Sequence, residues 1–97
     1  MLPNFDFISD STEQTETRFV TFITPNLNRF DLAVTRTNRF YGKKLVTDLQ
    51  RGITAIIGTD DLDEEGYLAE TFRLTEEEAA ELETFLRTVI GPAHSPD

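Results

Sequence analysis

The 97-residue chain has no cysteine and no tryptophan, and only one histidine and one methionine. Without thiols there is no disulfide, no thiolate metal site and no cysteine nucleophile, which suits a reducing compartment and makes the cytoplasm the expected location. The one histidine, His94, stands in the closing Ala-His-Ser-Pro-Asp run, and Ser9, Ser11 and Ser95 lie in polar segments expected to be mobile. A Ser–His–acid arrangement, which needs hydroxyl and imidazole in fixed geometry, is therefore not expected, and a single imidazole makes a poor zinc site. The five glycines, Gly42, Gly52, Gly58, Gly66 and Gly91, fit neither a phosphate-binding loop nor a dinucleotide fingerprint, so no cofactor is expected. No apolar run approaches the ~20 residues that cross a bilayer, and a chain this acidic is repelled by anionic lipid, so no membrane role is expected. Met1 to Ile8 has no cationic region and no cleavage site of the secretory kind.

The chain is long enough for one small domain that buries roughly 65% of its unfolded surface, and too short for two. Its charge is unevenly spread. Residues 1 to 60 carry seven Lys/Arg and seven Asp/Glu, whereas residues 61 to 97 carry two and eleven, so the formal net charge of -9 lies in the last third. Between Arg29 and Arg51 six cations face only Asp31 and Asp48. An electrically two-ended molecule is expected.

Ser9 to Thr17 lacks apolar residues and reads as a mobile linker, while Leu2, Phe5, Phe7 and Ile8 ahead of it could dock on the domain or on a partner. Residues 1–17 form this segment, 18–91 the domain and 92–97 a disordered tail. The β-branched and aromatic run Phe19 to Ile23 predicts a first strand, closed by Thr24-Pro25-Asn26. Phe30, Leu32 and Val34 alternate with Asp31, Ala33 and Thr35, the period of a half-buried second strand. Leu45, Val46 and Leu49 mark a third, the Gln50-Arg51-Gly52 turn follows, and Ile53 to Ile57 is the fourth. Such short connections favour an antiparallel meander. Val20 and Phe22 point opposite to Phe19 and Ile23, and Ile56 opposite to Ile53 and Ile57, so both faces of the sheet carry apolar side chains.

After Gly58 the period becomes helical. Asp63 to Phe72 predicts a short helix weakened by Gly66, with Leu68 and Phe72 on one side. Thr75-Glu76-Glu77-Glu78 is a capping box, and Leu82, Phe85, Leu86, Val89 and Ile90 form the apolar stripe of a helix that Gly91-Pro92 terminates. Its opposite side carries Glu76, Glu77, Glu81, Glu83 and Thr84. The expected class is α+β: about four antiparallel strands with this helix, and a short one before it, on one face.

Two clusters bear on chemistry. Asp61-x-Asp63-x-Glu65-Gly66 imitates the opening of a calcium loop, but Phe72 stands where the bidentate glutamate belongs, and acidic residues opening a helix explain the same letters. Arg36, Arg39, Phe40, Tyr41, Lys43 and Lys44 mix cations with aromatics, the combination that holds phosphates and stacks bases, and form the candidate partner or nucleic-acid surface. Strand-edge protection, or pairing with the Glu-rich helix, accounts for the same cations.

Thr17-Arg18-Phe19-Val20, Phe40-Tyr41-Gly42-Lys43, Asp60-Asp61-Leu62, Tyr67-Leu68 with Phe72, and Glu77-Glu78-Ala79-Ala80-Glu81-Leu82 with Phe85-Leu86-Arg87 together resemble a family of small Firmicutes-type bacterial proteins known as domain of unknown function 3055. The resemblance covers residues 17 to 92 and implies a cytosolic α+β protein with no assigned activity, cofactor or catalytic residue. The expected function is a non-catalytic interaction or regulatory protein, homodimeric because one helix layer cannot cover both sheet faces and a second subunit, or the Leu2 to Ile8 segment, is the simplest cover. The alternative is a nucleic-acid-binding protein using residues 29–51.

Overall fold

The computed structural model describes residues 4–91, so Leu2, the expected disordered tail 92–97, His94 and Ser95 lie outside the described residues. Four strands form one antiparallel sheet in chain order: β1 (Glu16–Ile23), β2 (Arg29–Arg36), β3 (Lys44–Asp48) and β4 (Ile53–Ile57). Three helices follow, α1 (Thr59–Leu62), α2 (Tyr67–Phe72) and α3 (Glu76–Val89). This is the expected α+β meander with a C-terminal helix.

Register sorts the side chains. Val20 lies opposite Leu32 and Phe22 opposite Phe30, while Val34 lies opposite Val46 and Val46 opposite Ala55. These residues share one face by the two-residue period of a strand, and that face meets Leu82, Leu86 and Ile90 of the α3 region and Leu68 and Phe72 of α2. The rings of Phe22 and Phe85 lie 4.7 Å apart, joining the outer strand to α3. Each fully buried aliphatic or phenyl side chain contributes about 1.5–3 kcal/mol.

Three boundaries differ from the sequence reading, each for a local reason. β1 starts at Glu16, inside the expected linker, because Thr17 and Thr35 share a 2.8 Å hydroxyl contact and Glu16 accepts from Arg36 at 2.5 Å. Polar cross-strand pairs extend the ladder without apolar burial. Leu49 lies in the turn after β3 and is exposed. The helix expected over 63–72 is shorter, α2 starting only at Tyr67, because Gly66 before it takes φ 81, a left-handed conformation cheap only for glycine. A separate helix that the sequence did not predict, α1, forms ahead of it, where Asp61 accepts the Gly58 N–H at 2.8 Å.

Two polar clamps set α3 on the sheet. Thr75 accepts the Glu78 N–H at 3.1 Å while Glu78 accepts the Thr75 N–H at 2.9 Å, the capping box read from the sequence. Glu78 also pairs with Arg51, which donates to the fully buried Asp48 at 2.9 Å. Asp48 in turn accepts the N–H groups of Gln50 and Arg51 and so shapes the β3–β4 turn. Glu81, expected on the solvated side, instead accepts from Asn28 at 2.7 Å and Asn26 at 3.0 Å and holds the β1–β2 turn.

Thr75→Ala should cost about 0.5–2 kcal/mol in a denaturant titration, whereas Thr84→Ala, whose exposed hydroxyl only bonds the Ala80 carbonyl, should change stability little. Asp48→Ala strips a buried acceptor from three donors and should cost roughly 1.5–3 kcal/mol, measured the same way.

Candidate functional site

The six residues of the cation and aromatic cluster do not form one surface patch. Arg36, on the helix-covered face of β2, pairs with Glu16. Arg39 donates to Ser11 at 3.1 Å, and the preceding loop residues Thr37 and Asn38 both donate to Glu13. Those bonds to Thr37 and Asn38 hold the Glu13 carboxyl below its ordinary pKa. Residues 11 to 13 are thereby attached to the β2–β3 loop in place of hanging free. Tyr41 projects from that loop and is 91% exposed, whereas Phe40 is half-buried.

Lys43 turns toward the acidic residues that open α1, with its ammonium 3.0 Å from Asp61 and 3.8 Å from Asp60. Gly58 permits this approach, since a Cβ there would stand 2.9 Å from Lys43 Cγ and 3.3 Å from the Gly42 carbonyl oxygen. Lys44 points to the helix layer and donates to the Val89 carbonyl at 2.7 Å, at the end of α3 where the dipole favours a cation. The remaining cations of the basic stretch are paired too, Arg29 with Asp31 at 3.2 Å and Arg51 with Asp48. Each of these cations is thus held by a local acceptor.

The residues that imitate a calcium loop serve the same network. Asp61 caps α1 and binds Lys43, and Asp63 accepts from Arg87 at 2.8 Å. Among the described residues no group of carboxylates and imidazoles is arranged to hold a metal ion. An acidic cleft of about 400 Å³ between α2 and α3 is lined by Glu64, Glu65, Glu76 and Glu83, with Arg87 bound to Glu83 at 2.9 Å.

Two features were missed by residue-type reasoning. Arg18 brings a cation over the Phe85 ring, 6.0 Å from its centroid. A groove of about 480 Å³ opens beside it, with Arg18, Arg36, Lys44 and Glu16 in its walls. Only the strand period could have placed these four side chains on one face.

Among the described residues no helix lies on the opposite face of the sheet. Hydroxyls there close on each other or on a carboxylate: Thr47 with Thr54 at 2.7 Å, Thr17 with Thr35, and Thr21 donating to Asp31 at 2.6 Å. Among these pairs stand Phe19, 73% exposed, and Ile23, 65% exposed, with Leu49 and Ile56 farther along. Phe5, Phe7 and Ile8 are themselves exposed and do not cover it.

With that geometry in view, the family can be stated. The chain belongs to the SAV0927-like family, whose model matches residues 8–88. This is a small uncharacterised family, and the match takes in the whole sheet and nearly all of α3. No curated protein matches the chain. No helix among the described residues is long and apolar enough to cross a membrane.

The α1 clamp has a defined pH response. The Gly58 N–H and the Lys43 ammonium hold the Asp61 carboxyl below its ordinary pKa, and the same contact raises that of Lys43. A depressed folded-state pKa contributes stability above the unfolded value of about 3.9 that is lost as pH falls through the folded one. Asp61→Asn should therefore lower stability at neutral pH and flatten the stability–pH profile below about pH 4, as followed by thermal melts across pH.

Proposed function

We propose that the protein is a non-catalytic interaction or regulatory protein that works as a homodimer, its subunits meeting through the helix-free face of the sheet. The observation that carries this reading is the exposure of Phe19 and Ile23 on a face whose hydroxyls are already paired with one another. Such a face offers apolar area and makes little demand for specific polar partners, the property of a surface that is buried in an assembly.

Charge selects a second copy as the occupant. On this face Arg29 and Asp31 neutralise each other, while the glutamates of α3 lie on the other side of the molecule. Two copies joined face to face keep their acidic layers outermost, with the sheets between them. A two-fold contact of this kind is self-complementary, so one patch serves both subunits. Docking through the helix layer would instead bring like charges together. The segment from Phe5 to Ile8 is the other apolar element at hand, and its side chains lie in solvent.

Nucleic-acid binding through residues 29–51 is the weaker reading. Arg29, Lys43 and Arg51 are engaged by carboxylates and Lys44 by a helix carbonyl, and the net charge of -9 repels a polyanion. A cysteine-free chain with the segment pattern described above suits the cytoplasm of a Firmicutes-type bacterium.

Sedimentation equilibrium tests the proposal. Wild-type protein should be dimeric at about 50 µM, and Phe19→Ser should weaken association at least about tenfold, as loss of a central apolar anchor does. Tyr41→Ser, on the loop away from this face, should leave the dimer intact. A wild-type monomer at that concentration overturns the proposal, as does a dimer indifferent to Phe19→Ser.

A further inference from the structure

The turn that joins β1 to β2 carries a residue that the fold of one chain does not account for. Among the described residues five take a left-handed φ: Leu27, Gly42, Gly52, Gly66 and Arg73. Glycine adopts this conformation without steric cost, and Arg73 is the C-cap of α2, a place where helices commonly end in it. Leu27, with φ 67, has neither reason. Thr24 donates its N–H to the Asn28 carbonyl at 2.9 Å and Leu27 donates to the Thr24 carbonyl at 2.8 Å, closing a tight turn in which glycine or asparagine is the usual left-handed residue. Asparagine stands on both sides of Leu27, and each is committed elsewhere: Asn26 and Asn28 donate to Glu81 of α3 at 3.0 and 2.7 Å.

Packing within the chain does not offset this strain, since the Leu27 side chain is 82% exposed. An exposed leucine is ordinary, and so is a left-handed asparagine. A bulky residue held at positive φ with its side chain in water combines two unfavourable features, and such outliers persist where the surroundings fix them. Here the bonds of Asn26 and Asn28 to α3 fix the turn on both sides, so Leu27 is presented on a rigid support. It also continues a series. Phe19, Ile23 and Leu27 stand four residues apart and all are exposed, and the Ile23–Arg29 pair ends the β1–β2 register just before the turn.

We propose that Leu27 is a recognition anchor, held by the β1–β2 turn for a second copy of the chain, which extends the self-association surface beyond the sheet and rests on the homodimer proposed above. An apolar side chain already exposed on a fixed turn contributes at an interface because little remains to be ordered when it is buried. Thr24 to Asn28 contains no charged residue, and the next one, Arg29, is paired with Asp31 at 3.2 Å. The turn therefore offers a charged partner no counter-charge, whereas an apolar surface suits it. A second copy supplies that surface in its own exposed Phe19 and Ile23, and in a two-fold contact the turn of each copy meets the other.

Leu27→Gly removes the side chain and the left-handed strain together, so association and folding should respond with opposite signs. In sedimentation equilibrium of the full chain it should weaken dimerisation about tenfold, as loss of an apolar anchor does. In thermal melts made in the Phe19→Ser background, where the single subunit is read, it should raise the melting temperature by about 4–8 °C, the response of a domain of this size to relief of one strained residue. Leu27→Met, which keeps an apolar side chain of similar volume, should leave association nearly unchanged. Undiminished association of Leu27→Gly overturns the anchor, and if Phe19→Ser still weakens the dimer, the contact through the sheet face stands without it. A fall in both melting temperature and association makes Leu27 a structural residue of the turn and overturns the anchor as well. A wild-type protein that stays monomeric removes the anchor and the dimer together.

Discussion

A buried carboxylate determines how the helix layer sits on the sheet. Asp48 has no solvent contact and accepts from two backbone N–H groups and from Arg51, so the turn after β3 is closed around a charge that cannot be left without partners. Arg51 extends from Asp48 to Glu78, and Glu78 is already the reciprocal half of the α3 cap. At the neighbouring turn Glu81 accepts from two asparagines. The first turns of α3 are thus fixed by polar contacts to one end of the sheet, and the apolar stripe of Leu82, Leu86 and Ile90 fills the space that orientation defines. The direction of α3 follows from where its N-terminus is held. Its last carbonyls consequently arrive at the opposite end of the sheet, over Lys44.

The two faces of the sheet solve the backbone problem in different ways. On one, β-branched and aromatic side chains are covered by helices and contribute through burial. On the other, threonines keep the strand propensity of β-branched residues while their hydroxyls satisfy each other across strands, so that face is regular without being covered. Phe19 and Ile23 fit neither pattern. An exposed phenyl ring in the middle of a hydroxyl ladder buries little of its area within the chain, which is what the proposed self-association rests on.

The sheet was legible because its signals are local. Alternation in β2, the glycine turn before Ile53 and the Thr75–Glu78 cap each depend on residues within a few positions of one another, and each stands where the sequence placed it. Gly66 was recognised as a weakness and proved to be a boundary, since its φ of 81 places it ahead of the first turn of α2. The extension of β1 to Glu16 was not legible, because polar residues join a ladder only when their cross-strand partners are known. The site was less legible for the same reason. Composition grouped Arg36, Arg39, Lys43 and Lys44 as neighbours in sequence, whereas the pleat and the chain path turn Lys43 to α1 and Lys44 to the end of α3. Arg18, distant in sequence, joins Arg36 and Lys44 only through β1–β2 and β2–β3 pairing.

Net charge is a poor guide to what such a molecule meets at close range. The carboxylates of α1 and α3 are spent largely on internal tasks: Asp61 on a helix start, Glu78 on a cap and Glu81 on a turn. Each of these places negative charge where N–H groups or a cation already wait, so the acidic residues build the fold without making its whole surface repulsive to anions. At the end of α3, Arg18, Arg36 and Lys44 stand in one groove with Glu16. The same clamps that fix α3 at its N-terminus therefore carry its last carbonyls over Lys44, where a cation meets the negative end of the helix dipole in a chain whose total charge is negative.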